Sequence, residues 1–131
     1  THNDSAETTE LFEWKFDNSE SEVAPLGTYY ATGHAGISKQ SSKSVYVTAT
    51  TDCYEKCDEV EAEVNLQRLE GSTWAYVTSR DKIRKNVGSV TVSDTITVKS
   101  GYYYRVVSFH SATKNGKTEV GSASSHSLYI G

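Results

Sequence analysis

The stretch Glu59-Val60-Glu61-Ala62-Glu63-Val64-Asn65-Leu66-Gln67 decides the fold class. Val60, Ala62, Val64 and Leu66 take every second position, with Glu59, Glu61, Glu63 and Asn65 between them. The Glu, Ala, Leu and Gln content has helix propensity. A helix, however, would scatter alternate residues around its axis, whereas an extended chain puts them on one face. The period-two pattern therefore reads as a strand with one wall in a core and three carboxylates in water.

The same alternation recurs on both sides. In residues 44–51, Val45, Val47 and Ala49 oppose Tyr46, Thr48 and Thr50. Residues 74–80, 90–98, 102–112, 118–123 and 127–130 read as further strands, with Thr28-Tyr29-Tyr30-Ala31 opening the body. Val90, Val92, Ile96 and Val98 alternate with Thr and Ser, and Ser93-Asp94 reads as a bulge or bend. Turns are expected at Glu70-Gly71-Ser72-Thr73 and at Asn115-Gly116, the strongest hairpin signal in the chain. Gly33-His34-Ala35-Gly36 reads as a loop, and residues 81–86 as a basic loop with Lys82, Arg84 and Lys85 around Ile83. About seven short antiparallel strands and no convincing helix predict a single all-β domain, an immunoglobulin-like or fibronectin-like sandwich.

Charge divides the chain. Residues 1–24 hold seven acids against Lys15, a net of −6, while residues 25–131 hold ten acids and twelve bases. The expected organisation is an acidic, partly disordered arm over 1–24 and the β-sandwich over 25–131. Residues 1–10 have no apolar repeat. Phe12, Trp14 and Phe16 then alternate with Glu13 and Lys15, as in an extra strand, with a helical turn as the competing reading. These aromatics either fold back onto their own domain near the basic segment 82–85 or pair with a sheet edge of a partner. Pro25 and Gly27 close a linker.

Composition excludes some classes. The body lacks the dense basic stripe that nucleic-acid binding requires. No apolar run reaches the length of a transmembrane helix. A chain that begins at Thr1 and has no Met is expected to have lost a signal peptide, although trimming accounts for it equally. The expected setting is secreted and extracellular, where Cys53 and Cys57 read as a disulfide pinning a turn. Closing so short a loop contributes only about 2 kcal/mol. The C-x3-C spacing is not the C-x-x-C of redox catalysts.

Chemistry-bearing constellations are sparse. The four His residues lack the close spacing that sets two imidazoles on one metal, and His110 shares a strand face with Tyr104, Val106 and Ser108 as a hydrogen-bonded sheet residue. Asp52, Glu55, Asp58 and Glu59 crowd one turn and offer a calcium alternative, but the glycine-bearing calcium loop is missing. Neither a nucleophile elbow nor His-Glu-x-x-His is present, so no enzyme and no cofactor is expected. The aromatic residues are the leading candidates: Tyr29, Tyr30, Trp74, Tyr76 and Tyr103 could present a platform for sugar rings or hot spots for a protein. The function expected is a non-catalytic extracellular interaction module recognising a protein or a cell-surface glycan. The alternative is a small secreted effector or toxin-like protein acting on other cells.

One succession of motifs adds to this. Asn65-Leu66-Gln67-Arg68-Leu69, Gly71-Ser72-Thr73-Trp74, Gly101-Tyr102-Tyr103-Tyr104-Arg105-Val106 and His110-Ser111-Ala112-Thr113-Lys114-Asn115-Gly116 follow in order over residues 28–131. They resemble DUF6147, a family of small secreted proteins of Gram-positive bacteria with unknown function. The resemblance implies export, a lone β domain and a bacterial source, and no activity. The acidic arm and the Cys53, Cys57 pair read as departures from the family pattern.

Overall fold

The alternating stretch 59–67 belongs to a much longer strand. In the computed structural model, which describes residues 28–131 and the backbone of 5–8 and 15–16, residues 44–70 form one continuous strand. The elements are β1 (Ser5–Thr8), β2 (Lys15–Phe16), β3 (Tyr30–Ser41), β4 (Ser44–Glu70), β5 (Thr73–Thr97), β6 (Tyr102–Lys114), β7 (Lys117–Ser124) and β8 (Leu128–Ile130). All pairings are antiparallel and join the strands into one eight-stranded sheet.

A straight strand of this length would run about 90 Å, against a radius of gyration of about 14 Å for a domain of this size. It must bend. The bend falls where the register between β4 and β5 shifts, between Asp52 and Cys57. Before it, β4 lies between β3 and residues 89–97 of β5; after it, β4 lies between β6 and residues 73–85 of β5. β5 turns at the matching place, where Asn86 adopts a φ of 58°, a left-handed conformation that Asn tolerates better than most residues. The sheet thus curls on itself, and β3 packs against β6 and β7 across the interior. Val45, Val47, Ala49, Val60, Ala62, Val64, Leu66, Tyr104 and Val106 fill that interior. Arg80 donates to Asp94 at 2.8 Å, tying the two arms of β5 together.

Several sequence expectations need correction. Residues 81–86 are part of β5, not a loop, because Lys85, Arg84, Ile83, Lys82 and Asp81 pair in register with residues 59–63 of β4. Ser93 and Asp94 pair with Thr48 and Val47 without a register shift, so no bulge sits there. Gly33, His34, Ala35 and Gly36 lie inside β3. The Asn115-Gly116 hairpin forms as expected, with φ of 54° and 76°, as a type I′ turn requires. In the arm, β1 pairs with β3, and β2 pairs with β7 at Val120 and Glu119. Thus β2 lies on the opposite side of β6 and β7 from the basic segment of β5, not near it. Phe12 and Trp14 lie outside the described residues.

The glycines of β3 and β7 are needed for packing. Tyr30 is fully buried and lies over both strands. A Cβ built on Gly121 would stand 2.6 Å from Cε2 and 2.8 Å from the hydroxyl of Tyr30. One on Gly33 would stand 2.5 Å from Cδ2 of His110. These neighbours are rigid rings in a packed core, so overpacking is not relieved by a side-chain swing. Gly121→Ala is expected to cost about 2 kcal/mol, read as a lower urea midpoint at unchanged slope.

Candidate functional site

Alternation along β4, β6 and β7 sorts their side chains into an inner and an outer face. The inner face of β6 presents Tyr104, Val106, Ser108, His110 and Ala112, all buried. The outer face presents Tyr103, Arg105, Val107, Phe109 and Ser111. The two faces hold different kinds of polar group.

Inside, His110 is held at both ring nitrogens: Nδ1 lies 2.7 Å from the Thr51 hydroxyl and Nε2 lies 2.7 Å from the Ser108 hydroxyl. Thr51 donates its own proton to the Glu61 carbonyl at 2.8 Å. Its oxygen must therefore accept from His110 Nδ1–H, which leaves Nε2 to accept from Ser108, whose hydroxyl lies nearer to it at 2.7 Å than to its other acceptor, the Ala123 carbonyl, at 3.3 Å. The imidazole is neutral, stacked near Tyr30 at a centroid distance of 6.3 Å. Burial, with some help from His34, pushes its pKa down to about 4. This matches the sheet-residue reading of His110. Ser108 is fully buried, so the Ser–His pair faces the core rather than a substrate.

The second inner polar group was not anticipated from sequence. Glu119 is fully buried, and its carboxylate accepts from the backbone N–H groups of Thr28 at 3.0 Å, Tyr29 at 3.2 Å and Tyr30 at 2.8 Å. It fastens the start of β3 to β7. Tyr29 adds a bond from its hydroxyl to the Lys117 carbonyl, and burial pushes its phenol up to about 12. Tyr29 and Tyr30 are thereby removed from the candidate binding aromatics: both are buried.

The other three candidates converge. β4–β6 register sets Arg105 opposite Gln67, and β4–β5 register sets Gln67 opposite Tyr76 and Leu69 opposite Trp74. Tyr103 stands opposite Tyr129 of β8, with ring centroids 5.0 Å apart. Trp74, Tyr76, Tyr103, Tyr129, Gln67 and Arg105 thus share one end of the outer face. Tyr76 is 64% and Tyr103 43% exposed, while Trp74 is half-buried beneath the Arg105 guanidinium, 4.4 Å from the ring centroid. Arg105 Nε donates to Gln67 at 2.7 Å. Tyr102, on the inner side of the same strand, receives Arg68 at 5.0 Å from its centroid. Sequence reasoning found the aromatics but missed Arg105 and Gln67; their opposed positions on paired strands are invisible until register is known.

Further along the outer face a hollow of about 250 Å³ opens between β4, β6 and β7, lined in part by Glu61, Glu63, Phe109 and Val120. Burial and the neighbouring Asp81, Glu63 and Glu59 push the Glu61 carboxyl above its ordinary range.

The calcium alternative does not assemble. Asp52 accepts from Ser89, Glu55 pairs with Lys114, and Asp58 accepts from the Asn115 backbone. No group of three metal-ligating side chains occurs among the described residues. Cys53 and Cys57 flank the bulge of β4 as free thiols, not a disulfide, with Cys53 half-buried and Cys57 buried. The Cys57 thiol donates to the Glu55 carbonyl at 3.5 Å, and burial pushes the Cys53 thiol up to about 12. No helix among the described residues is long and apolar enough to cross a membrane.

A curled antiparallel sheet with a polar-pinned core and an aromatic outer end defines a class of small all-β domain. The chain belongs to the family of unknown function DUF6147, whose model matches residues 3–127. The match takes in nearly all of the acidic arm, so the arm is not a departure from the family. No curated protein and no solved structure matches the chain.

Proposed function

We propose that this protein is a non-catalytic interaction module, exported from a Gram-positive bacterium, that recognises an extracellular ligand through the outer face bearing Trp74, Tyr76, Tyr103 and Tyr129. The observation behind this reading is the exposure of Tyr76 and Tyr103 on a face where Arg105 and Gln67 are already held in place. Tyr, Trp and Arg are the residues that dominate binding energetics, because they bring large rigid area at low entropic cost. An immunoglobulin-like sandwich is the finer fold reading. It is supported by the facing of β3 against β6 and β7 and by the Tyr104 hydroxyl, which donates to the Lys99 carbonyl at 2.6 Å as in a tyrosine corner. With an extracellular disulfide as the two-electron oxidant, Cys53 and Cys57 would close to a disulfide by thiol–disulfide exchange, their two protons and two electrons reducing that oxidant to thiols.

The test is binding of labelled protein to intact cells and to a glycan array, beside the double variant Tyr76→Ser/Tyr103→Ser. Both tyrosines are exposed, so the variant should keep the native melting temperature and lose most of the bound signal. Binding that survives the double substitution would sink the proposal.

A further inference from the structure

We infer that the aromatic outer face is an acidic-glycan site in which Arg105 receives the carboxylate of a sugar acid. The inference deepens the proposed function and rests on it. Arg68 pairs with Glu70 and Arg80 with Asp94, while Arg84 has no carboxylate partner but is exposed to water. Arg105 lacks a carboxylate partner too, and it is not so exposed. It is half-buried, its Nε is spent on Gln67, and among the described residues no carboxylate pairs with it. Its two terminal nitrogens make no hydrogen bond within the described residues. A guanidinium taken partly out of water with open donors is the arrangement that a carboxylate satisfies with two parallel bonds. Burial alone lowers its pKa, with no neighbouring charge contributing.

The Trp74 ring fixes the plane of the fork from one side, so the donors do not need ordering when a ligand arrives. Tyr103 lies two residues from Arg105 on β6, and Tyr76 lies beyond Gln67 on β5. Exposed rings thus stand on either side of the charge, ready to stack on the C–H faces of sugar units. A ligand reaching both rings is an oligosaccharide rather than a single sugar.

A sugar fits better than an acidic peptide for a reason of backbone chemistry. At this end of the face β6 is flanked by β4 and β8, and β4 by β5 and β6. A peptide finds no free edge beside Arg105 itself; the edges open at this end among the described residues are the outer ones of β5 and β8, where an added strand would lie away from the fork. A sugar acid needs none, since its affinity comes from stacking and the bidentate carboxylate.

Calorimetric titration of the full chain tests this with an oligogalacturonate, sialyllactose and a hyaluronan oligosaccharide as acidic probes. A chitin oligosaccharide is the neutral control and an oligoglutamate the peptide control. At least one acidic sugar should bind about tenfold or more tighter than the neutral one, and Arg105→Gln should abolish that difference. Arg105→Lys keeps the charge without the fork and should recover only part of it. If Arg105→Gln lowers the melting temperature, Tyr103→Ala replaces it and should weaken the acidic sugar severalfold. Acidic sugars no tighter than the neutral one, or oligoglutamate tighter than all of them, would overturn the inference. Either result leaves the aromatic-face reading standing so long as Tyr103→Ala still weakens binding. Binding indifferent to Tyr103 would overturn both.

Discussion

Glu119→Ala is expected to destabilise the fold by about 4 kcal/mol. The carboxylate accepts three backbone N–H bonds in a site closed to water. Each charge-assisted bond is worth about 1.5–3 kcal/mol, offset by the cost of burying the charge. Truncation to Ala forfeits all three bonds, two of them buried, in the chain segment that turns into β3 and positions Tyr29 and Tyr30. Glu119→Gln keeps the size but replaces one accepting oxygen with an NH2 group that points donors at donors. It should therefore cost about 2–3 kcal/mol and not be neutral. Urea unfolding at pH 7 measures both. A loss below about 1 kcal/mol for Glu119→Ala would show that the three N–H groups find water instead.

Why Glu119 escapes a sequence reading is instructive. In Thr118-Glu119-Val120-Gly121-Ser122-Ala123 the apolar pattern points Val120 inward with Glu119 in water. The structure has the opposite parity: Glu119, Gly121 and Ala123 face in, while Thr118, Val120 and Ser122 face out. The inner positions of β7 are small or anionic because Tyr30, from the far side of the curl, occupies the space their side chains would fill. Local pattern cannot report a residue that arrives from about ninety positions away. Consecutive burial of Tyr29 and Tyr30 breaks alternation for the same reason, since both are set by Glu119 and not by a regular strand.

The strands were legible wherever a face alternates over many residues, as in residues 44–51 and 59–67. What did not show was their continuity. Residues 53–56 look like a turn, with Tyr54, Glu55 and Lys56 exposed, and they do bulge out of register. Yet β4 runs through them, because its pairing with β3 reaches Cys53, opposite Tyr30 where β3 begins, and its pairing with β5 is in place at Cys57, opposite Val87. The exposed segment 81–86 is a strand by virtue of β4 beside it; its own side chains would suit a loop equally well. For the outer site, residue type revealed Trp74, Tyr76 and Tyr103, while burial of Tyr29 and Tyr30 and the placing of Arg105 depended on register.

His110 makes stability fall as the solution is acidified through the range above pH 4. Its imidazole is neutral in the fold, wedged between Thr51 and Ser108 against Tyr30, with its pKa near 4. In the unfolded chain a histidine titrates near 6.5. Between these values the unfolded state binds a proton that the folded state refuses, so acidification favours unfolding. The contribution is intact above about pH 6.5, declines by about 1.4 kcal/mol per pH unit below it, and levels off near pH 4, a total of about 3 kcal/mol. Burial lowers the folded value first, His34 lowers it further, and Asp52 opposes both. Asp94 acts only lower on the scale, because Arg80 holds its carboxyl below the usual range. Urea midpoints at pH 7 and pH 4.5 should therefore differ clearly in the wild-type chain. His110→Gln will be less stable at neutral pH, having lost one of two buried hydrogen bonds. Its midpoint should nonetheless change much less between the two pH values, because no buried imidazole remains to be charged. An equal acid slope in both proteins would assign the sensitivity to surface carboxylates and remove His110 from the account.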